Sequence, residues 1–187
     1  FAAEALKWVE EQKDAPFYLY LAATIPHANN EANRDLKNGQ EVPEFGRYES
    51  QEWTAPNKGQ AAMITLLDRD VGRLFELLKK LKLDDNTLVL FCSDNGACPF
   101  ERTRGRQLKP WDPKSYWTYD AAWANAGNTP FRLYKQNQHE GGISSPMIAH
   151  WPAGLKTKPG SVTDQPAHLI DFMATFLELA GAEYPAR

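Results

Sequence analysis

Two uninterrupted apolar runs of strand length constrain this chain more than any other feature. They are Phe17-Tyr18-Leu19-Tyr20-Leu21-Ala22-Ala23 and Thr87-Leu88-Val89-Leu90-Phe91-Cys92. A strand with one face in water alternates apolar and polar side chains. A run without alternation needs cover on both faces, as in the parallel sheet of an α/β protein. Between the two runs, Met63, Leu67, Val71, Leu74, Leu78 and Leu81 recur at three and four, which predicts one helix over residues 58–81. Strand, excursion, helix, strand is the order of a right-handed crossover. The expected fold class is α/β, with a mostly parallel sheet flanked by helices.

The remaining segments fit around that unit. Ala5, Trp8 and Val9 predict a helix over residues 1–12, broken by Asp14-Ala15-Pro16. Residues 26–57 form a long polar connection, of the length that binding loops have. Residues 97–128 read as irregular and aromatic, with Trp111, Trp117 and Trp123 among prolines and glycines. Residues 146–151 predict a short strand, and residues 172–180 an apolar helix stopped by Gly181.

Composition excludes several classes. Disorder is excluded by 6 Trp, 7 Tyr and 9 Phe in 187 residues, ample material for a core. A net charge of −3 argues against nucleic acid as a partner, because a general binder needs a basic face. No apolar run is long enough to be a membrane span. Residues 94–140 nevertheless carry 7 basic and 5 acidic side chains, an excess that suits a small anion and equally suits an ordinary surface. Cys92 and Cys98 are too few for a disulfide framework or a zinc site.

In α/β sheets ligands bind beyond the carboxyl ends of strands. Ser93-Asp94-Asn95-Gly96 follows the second run. Its carboxylate and amide carbonyl are two hard oxygens, part of the six to eight that calcium takes. The same residues also make a common turn. His27 follows the first run and opens the long connection, a place for a catalytic imidazole or for a structural one. Lys135 precedes His139-Glu140-Gly141-Gly142, where paired glycines permit close backbone approach; it can hold an oxyanion or simply be solvated. Cys98 to Arg104 has the spacing of a phosphatase loop but lacks its glycines and its preceding His. Cys98-Pro99-Phe100-Glu101-Arg102 has its Pro one place too early for the motif Cys/Ser-x-Pro-x-Arg.

Taken in order, several blocks resemble the type I sulfatases of the alkaline phosphatase-like superfamily. They are residues 16–22 with Pro26-His27-Ala28, Leu67-Asp68-Arg69-Asp70-Val71-Gly72-Arg73-Leu74, residues 85–96, Asn128-Thr129-Pro130-Phe131-Arg132 with Lys135, and Glu140-Gly141-Gly142-Ile143 with Trp151-Pro152. Asp164-Gln165-Pro166 and residues 169–181 complete the set. The resemblance implies an alkaline phosphatase-like fold and hydrolysis of sulfate esters with calcium. It implies that Asp94 and Asn95 are metal ligands, and that His27 and Lys135 bind substrate and act in catalysis. It also implies a periplasmic or secreted protein whose substrate is a sulfated small molecule or glycan. The family's nucleophile is a formylglycine made within Cys/Ser-x-Pro-x-Arg, and that motif does not occur in residues 1–187. The expectation is therefore a partial catalytic domain, lacking its nucleophile-bearing N-terminal part and its C-terminal subdomain, and inactive alone. Two alternatives remain on the same scaffold: a phosphate or phosphonate monoester hydrolase, and a non-catalytic binding domain.

Overall fold

A long helix organises the first of two units, Phe1–Gly154 and Leu155–Arg187. The computed structural model describes residues 1–29, 38–99 and 120–184. Helix α1 (Ala2–Gln12) lies against α2 (Ala55–Lys80), burying Ala5 and Val9 as their spacing predicts. Pro56 sits in the first turn of α2, where a missing N–H costs nothing, and Lys79 and Lys80 in the last turn complement the helix dipole. The expected stripe is present: Met63 and Leu78 are buried, and Leu67, Val71, Leu74 and Leu81 are half-buried. Full burial of Met63 or Leu78 is worth about 1.5–3 kcal/mol each.

Two glutamines are buried beside these apolar residues, one of them on α2. Gln40 and Gln60 are each 1% exposed. Gln40 Nε2 donates to Gln60 Oε1 at 3.1 Å, and Gln60 Nε2 donates to the Pro26 carbonyl at 3.3 Å. This pair ties the turn that carries His27 onto α2. Gly59 makes the approach feasible, because a Cβ there would lie 2.5 Å from the Gln40 carbonyl oxygen.

The sheet differs from expectation. Strand β1 (Val89–Cys92) falls inside the second apolar run, and β2 (Met147–His150) inside the predicted strand at 146–151. They pair antiparallel, with Val89 opposite His150 and Cys92 opposite Met147. The parallel partner expected for β1 was residues 17–23, and these form no ladder with any described residue. The run instead carries no regular structure, closes on itself where Ala23 N donates to Leu21 O at 3.0 Å, and leaves Tyr18 61% and Tyr20 79% exposed. An apolar run becomes a strand only when another edge meets its N–H and C=O groups, and no described strand does so. The α/β class holds, with a small antiparallel ladder in the described residues. Two strands alone are marginal. Here they are pinned by Phe75 of α2, edge-on to His150 at 5.1 Å, and by Ala153 N donating to Asp85 O at 2.8 Å.

The end of the 97–128 segment is more regular than predicted. Residues 100–119, with Arg104, Trp111 and Trp117, lie outside the described residues. Residues Asp120–Asn128 form helix α3. Four alanines at 121, 122, 124 and 126 favour helix more than Gly127 opposes it. Ala124 is fully buried, and Trp123 Nε1 donates to Asn57 Oδ1 of α2 at 2.9 Å. A single turn, α4 (Glu140–Ile143), precedes β2.

In the second unit, α5 (Leu169–Ala180) starts earlier than predicted because a capping box opens it. His168 Nδ1 accepts from Ile170 N at 3.3 Å, and Asp171 Oδ2 accepts from His168 N at 2.7 Å. Gly181, at φ +64°, closes it where predicted. No described helix is long and apolar enough to cross a membrane.

Candidate functional site

Strand β1 delivers Asp94 and Asn95 at its carboxyl end. Ser93 Oγ donates to Asn95 O at 2.7 Å, which tightens the turn. Asn95 Nδ2 donates to Asp94 Oδ1 at 3.0 Å. That bond orients the amide and leaves Asn95 Oδ1 and Asp94 Oδ2 with no hydrogen bond among the described residues. These two hard oxygens fit part of a calcium shell, and the rest of the shell has to come from other groups. No cluster of three His, Cys, Asp or Glu suited to a metal occurs among the described residues.

Backbone contacts join this turn to the lysine loop. The buried Gly96 donates its N–H to Gly142 O at 3.3 Å. A Cβ on Gly96 would lie 1.9 Å from the Gly141 carbonyl oxygen, so the two main chains touch with no room for a side chain. Lys135 N donates to Ala97 O at 3.0 Å, which places the half-buried lysine's backbone two residues beyond Asn95. The lysine loop is strained: Leu133 and Gln136 have φ of 63° and 73°, costing roughly 1–2 kcal/mol each for residues with a Cβ. Local bonds hold it, Gly141 N to Arg132 O at 2.9 Å and Asn137 Nδ2 to Tyr134 O at 3.1 Å.

Asn128 is the residue that sequence reasoning missed. At the end of α3, its Oδ1 accepts from Ala97 N at 3.2 Å. Its Nδ2 donates to Leu133 O at 2.9 Å and to Gly141 O at 2.8 Å. An asparagine before Thr129-Pro130 reads as a turn residue, and only partners distant in sequence reveal the other role.

His27 stands apart. It is exposed, in the turn that Gln60 ties to α2. Its Nδ1 lies 2.8 Å from the Ala28 carbonyl, which only accepts, so Nδ1 carries a proton and Nε2 is left to give or take one. Among the described residues, no hydrogen bond or ion pair joins it to Asp94, Asn95 or Lys135. An open groove between α1 and α2, lined by Leu6, Glu10, Arg73, Leu77 and Lys80, contains none of the four candidates.

The family model named Sulfatase matches residues 1–182. The chain belongs to the sulfatase family. It is 31% identical to N-acetylgalactosamine-6-sulfatase of Canis lupus familiaris, covering 100% of this chain and 29% of that protein. It is 30% identical to steryl-sulfatase of Rattus norvegicus, over 98% of this chain and 26% of that one. Among solved structures, Ps i-CgsB in complex with k-i-k-neocarrahexaose superposes with a TM-score of 0.65 at 28% identity, covering 98% of this chain and 34% of that chain. This sulfatase chain thus spans under a third of the length of the curated relatives cited. The likeness supports the alkaline phosphatase-like architecture expected from the sequence.

The glycine contact makes a direct prediction for this sulfatase. Gly96→Ala should destabilise by about 1–3 kcal/mol, because the 1.9 Å approach forces one main chain to move. A urea midpoint equal to wild type would contradict the contact.

Proposed function

We propose that this sulfatase chain is part of a catalytic domain that hydrolyses sulfate esters, of a small molecule or a glycan. The observation that carries the reading is the 3.0 Å bond from Lys135 N to Ala97 O, which holds the lysine's backbone against the residue two beyond Asn95, at a strand's end. Asp94 and Asn95 would hold a calcium ion together with oxygens from beyond these residues. When bound, calcium supplies Lewis-acid polarisation of the sulfate group. Lys135 binds a sulfate or ester oxygen, and its charge stabilises the negative charge that builds there as the S–O bond breaks. His27 contacts the sulfate or protonates the departing alkoxide through Nε2. The nucleophile, a formylglycine in the family's motif, belongs to chain outside residues 1–187. A glycan substrate is supported by the similarity to an N-acetylgalactosamine-6-sulfatase and to a solved structure in complex with k-i-k-neocarrahexaose.

Leaving-group dependence tests the role of His27 in the complete protein. His27→Ala should lower kcat/KM by about 10²-fold or more for alkyl sulfates, whose alkoxides need a proton. For a nitrophenyl sulfate, whose leaving group departs unprotonated, the loss should be several-fold smaller. Equal losses on both substrates would remove His27 from proton donation and leave it as a sulfate contact.

A further inference from the structure

We propose that Asn128 is the positioning residue that sets the Asp94–Asn95 turn against the Lys135 loop, an inference resting on the sulfate ester reading for its catalytic consequence. Its carboxamide has two donors and both are used, on Leu133 O at 2.9 Å and Gly141 O at 2.8 Å. Its oxygen accepts from Ala97 N at 3.2 Å. Each partner adjoins the site: Ala97 is two residues past Asn95, Leu133 two before Lys135, and Gly141 is the carbonyl against which Gly96 packs. Ala97 belongs to the turn after β1, and Leu133 and Gly141 to the lysine loop, so the Asn128 side chain bonds to both segments. Leu133 is one of the two left-handed residues flanking Lys135, so this bond falls where the loop most needs restraint.

The side-chain chemistry is specific. Aspartate has the same shape and still accepts from Ala97 N. It has no N–H, however, and sets a carboxylate oxygen against two carbonyl oxygens within hydrogen-bond distance. Alanine leaves one N–H and two C=O groups without that partner. Asn128 itself has none of the charge the chemistry needs, so its effect passes through the groups it positions.

The test uses the complete protein with two readouts. Asn128→Asp should lower kcat/KM for an aryl sulfate by about 10²-fold, the scale of a misplacement near 1 Å. On a Lys135→Ala background the same change should cost less than about 3-fold, because the group being positioned is already gone. Independently of activity, hydrogen exchange by mass spectrometry on peptides covering 93–99 and 131–142 should accelerate about tenfold in Asn128→Asp, the worth of one hydrogen bond. Peptides from α2 should exchange at wild-type rates. Additive losses with Lys135→Ala, or unchanged exchange in both site peptides, would overturn the proposal. A wild-type protein that cleaves no sulfate ester would instead defeat the functional reading, with the exchange measurement still deciding whether Asn128 holds the two loops.

Discussion

Asp94→Ala in the complete protein should lower kcat/KM for a sulfate ester by about 10³-fold or more, while leaving the unfolding free energy from urea titration within about 0.5 kcal/mol of wild type. The asymmetry follows from the residue's surroundings. Asp94 is exposed on the turn after β1, and among the described residues its side chain hydrogen-bonds only to Asn95 Nδ2, at 3.0 Å. Removing it leaves no buried group unsatisfied, so the fold loses little. The site loses a carboxylate, the stronger of the two oxygen donors offered to a divalent ion, and the orienting partner of the second donor. Calcium affinity, measured by isothermal titration, should fall together with activity. Wild-type affinity in this variant would remove Asp94 from the ligand set.

Lys135→Ala should lower kcat/KM by about 10²-fold or more, again with a small change in stability. The residue is half-buried, and its hydrogen bonds among the described residues are made by its backbone, N–H to Ala97 O at 3.0 Å and C=O from Asn137 Nδ2 at 3.4 Å, which alanine retains. Lysine-to-arginine replacement should recover little, because a planar guanidinium does not present its charge as a compact ammonium does. Steady-state kinetics of the three proteins checks both statements. Full activity in Lys135→Ala would mean that the lysine is only solvated.

The elements legible in the sequence are those whose signal is local. The apolar stripe of α2 marks its helix, because Met63, Leu67 and Leu78 face inward at helical spacing. Gly181 ends α5 because a left-handed residue closes a helix and glycine adopts that conformation freely. Asp94-Asn95-Gly96 reads as a turn presenting two oxygens because glycine permits the contact that Gly96 makes with Gly141. Strand direction is not local: apolar runs report burial and say nothing about which edge pairs with which, so the antiparallel partner β2 could not be read. The missing ladder at residues 17–23 has the same origin.

The candidate site was half legible. Asp94, Asn95 and Lys135 stand out by residue type at strand ends and before paired glycines. Their mutual placement depends on Asn128, whose partners at Ala97, Leu133 and Gly141 come together only in the folded chain. The Gln40–Gln60 pair, which ties the His27 turn to α2, is hidden for the same reason. Long polar residues are ordinarily exposed, and nothing in their spacing signals 1% exposure.

The central claim is that the Asp94–Asn95 turn and Lys135 form one site for sulfate ester cleavage. Its most direct test is the kcat/KM of the complete, calcium-loaded protein for a nitrophenyl sulfate against the matching nitrophenyl phosphate, repeated in Lys135→Ala. The prediction is preference for the sulfate ester by at least about tenfold, with the sulfate rate falling about 10²-fold in the variant. Preference for the phosphate ester, or a sulfate rate indifferent to Lys135, would contradict it.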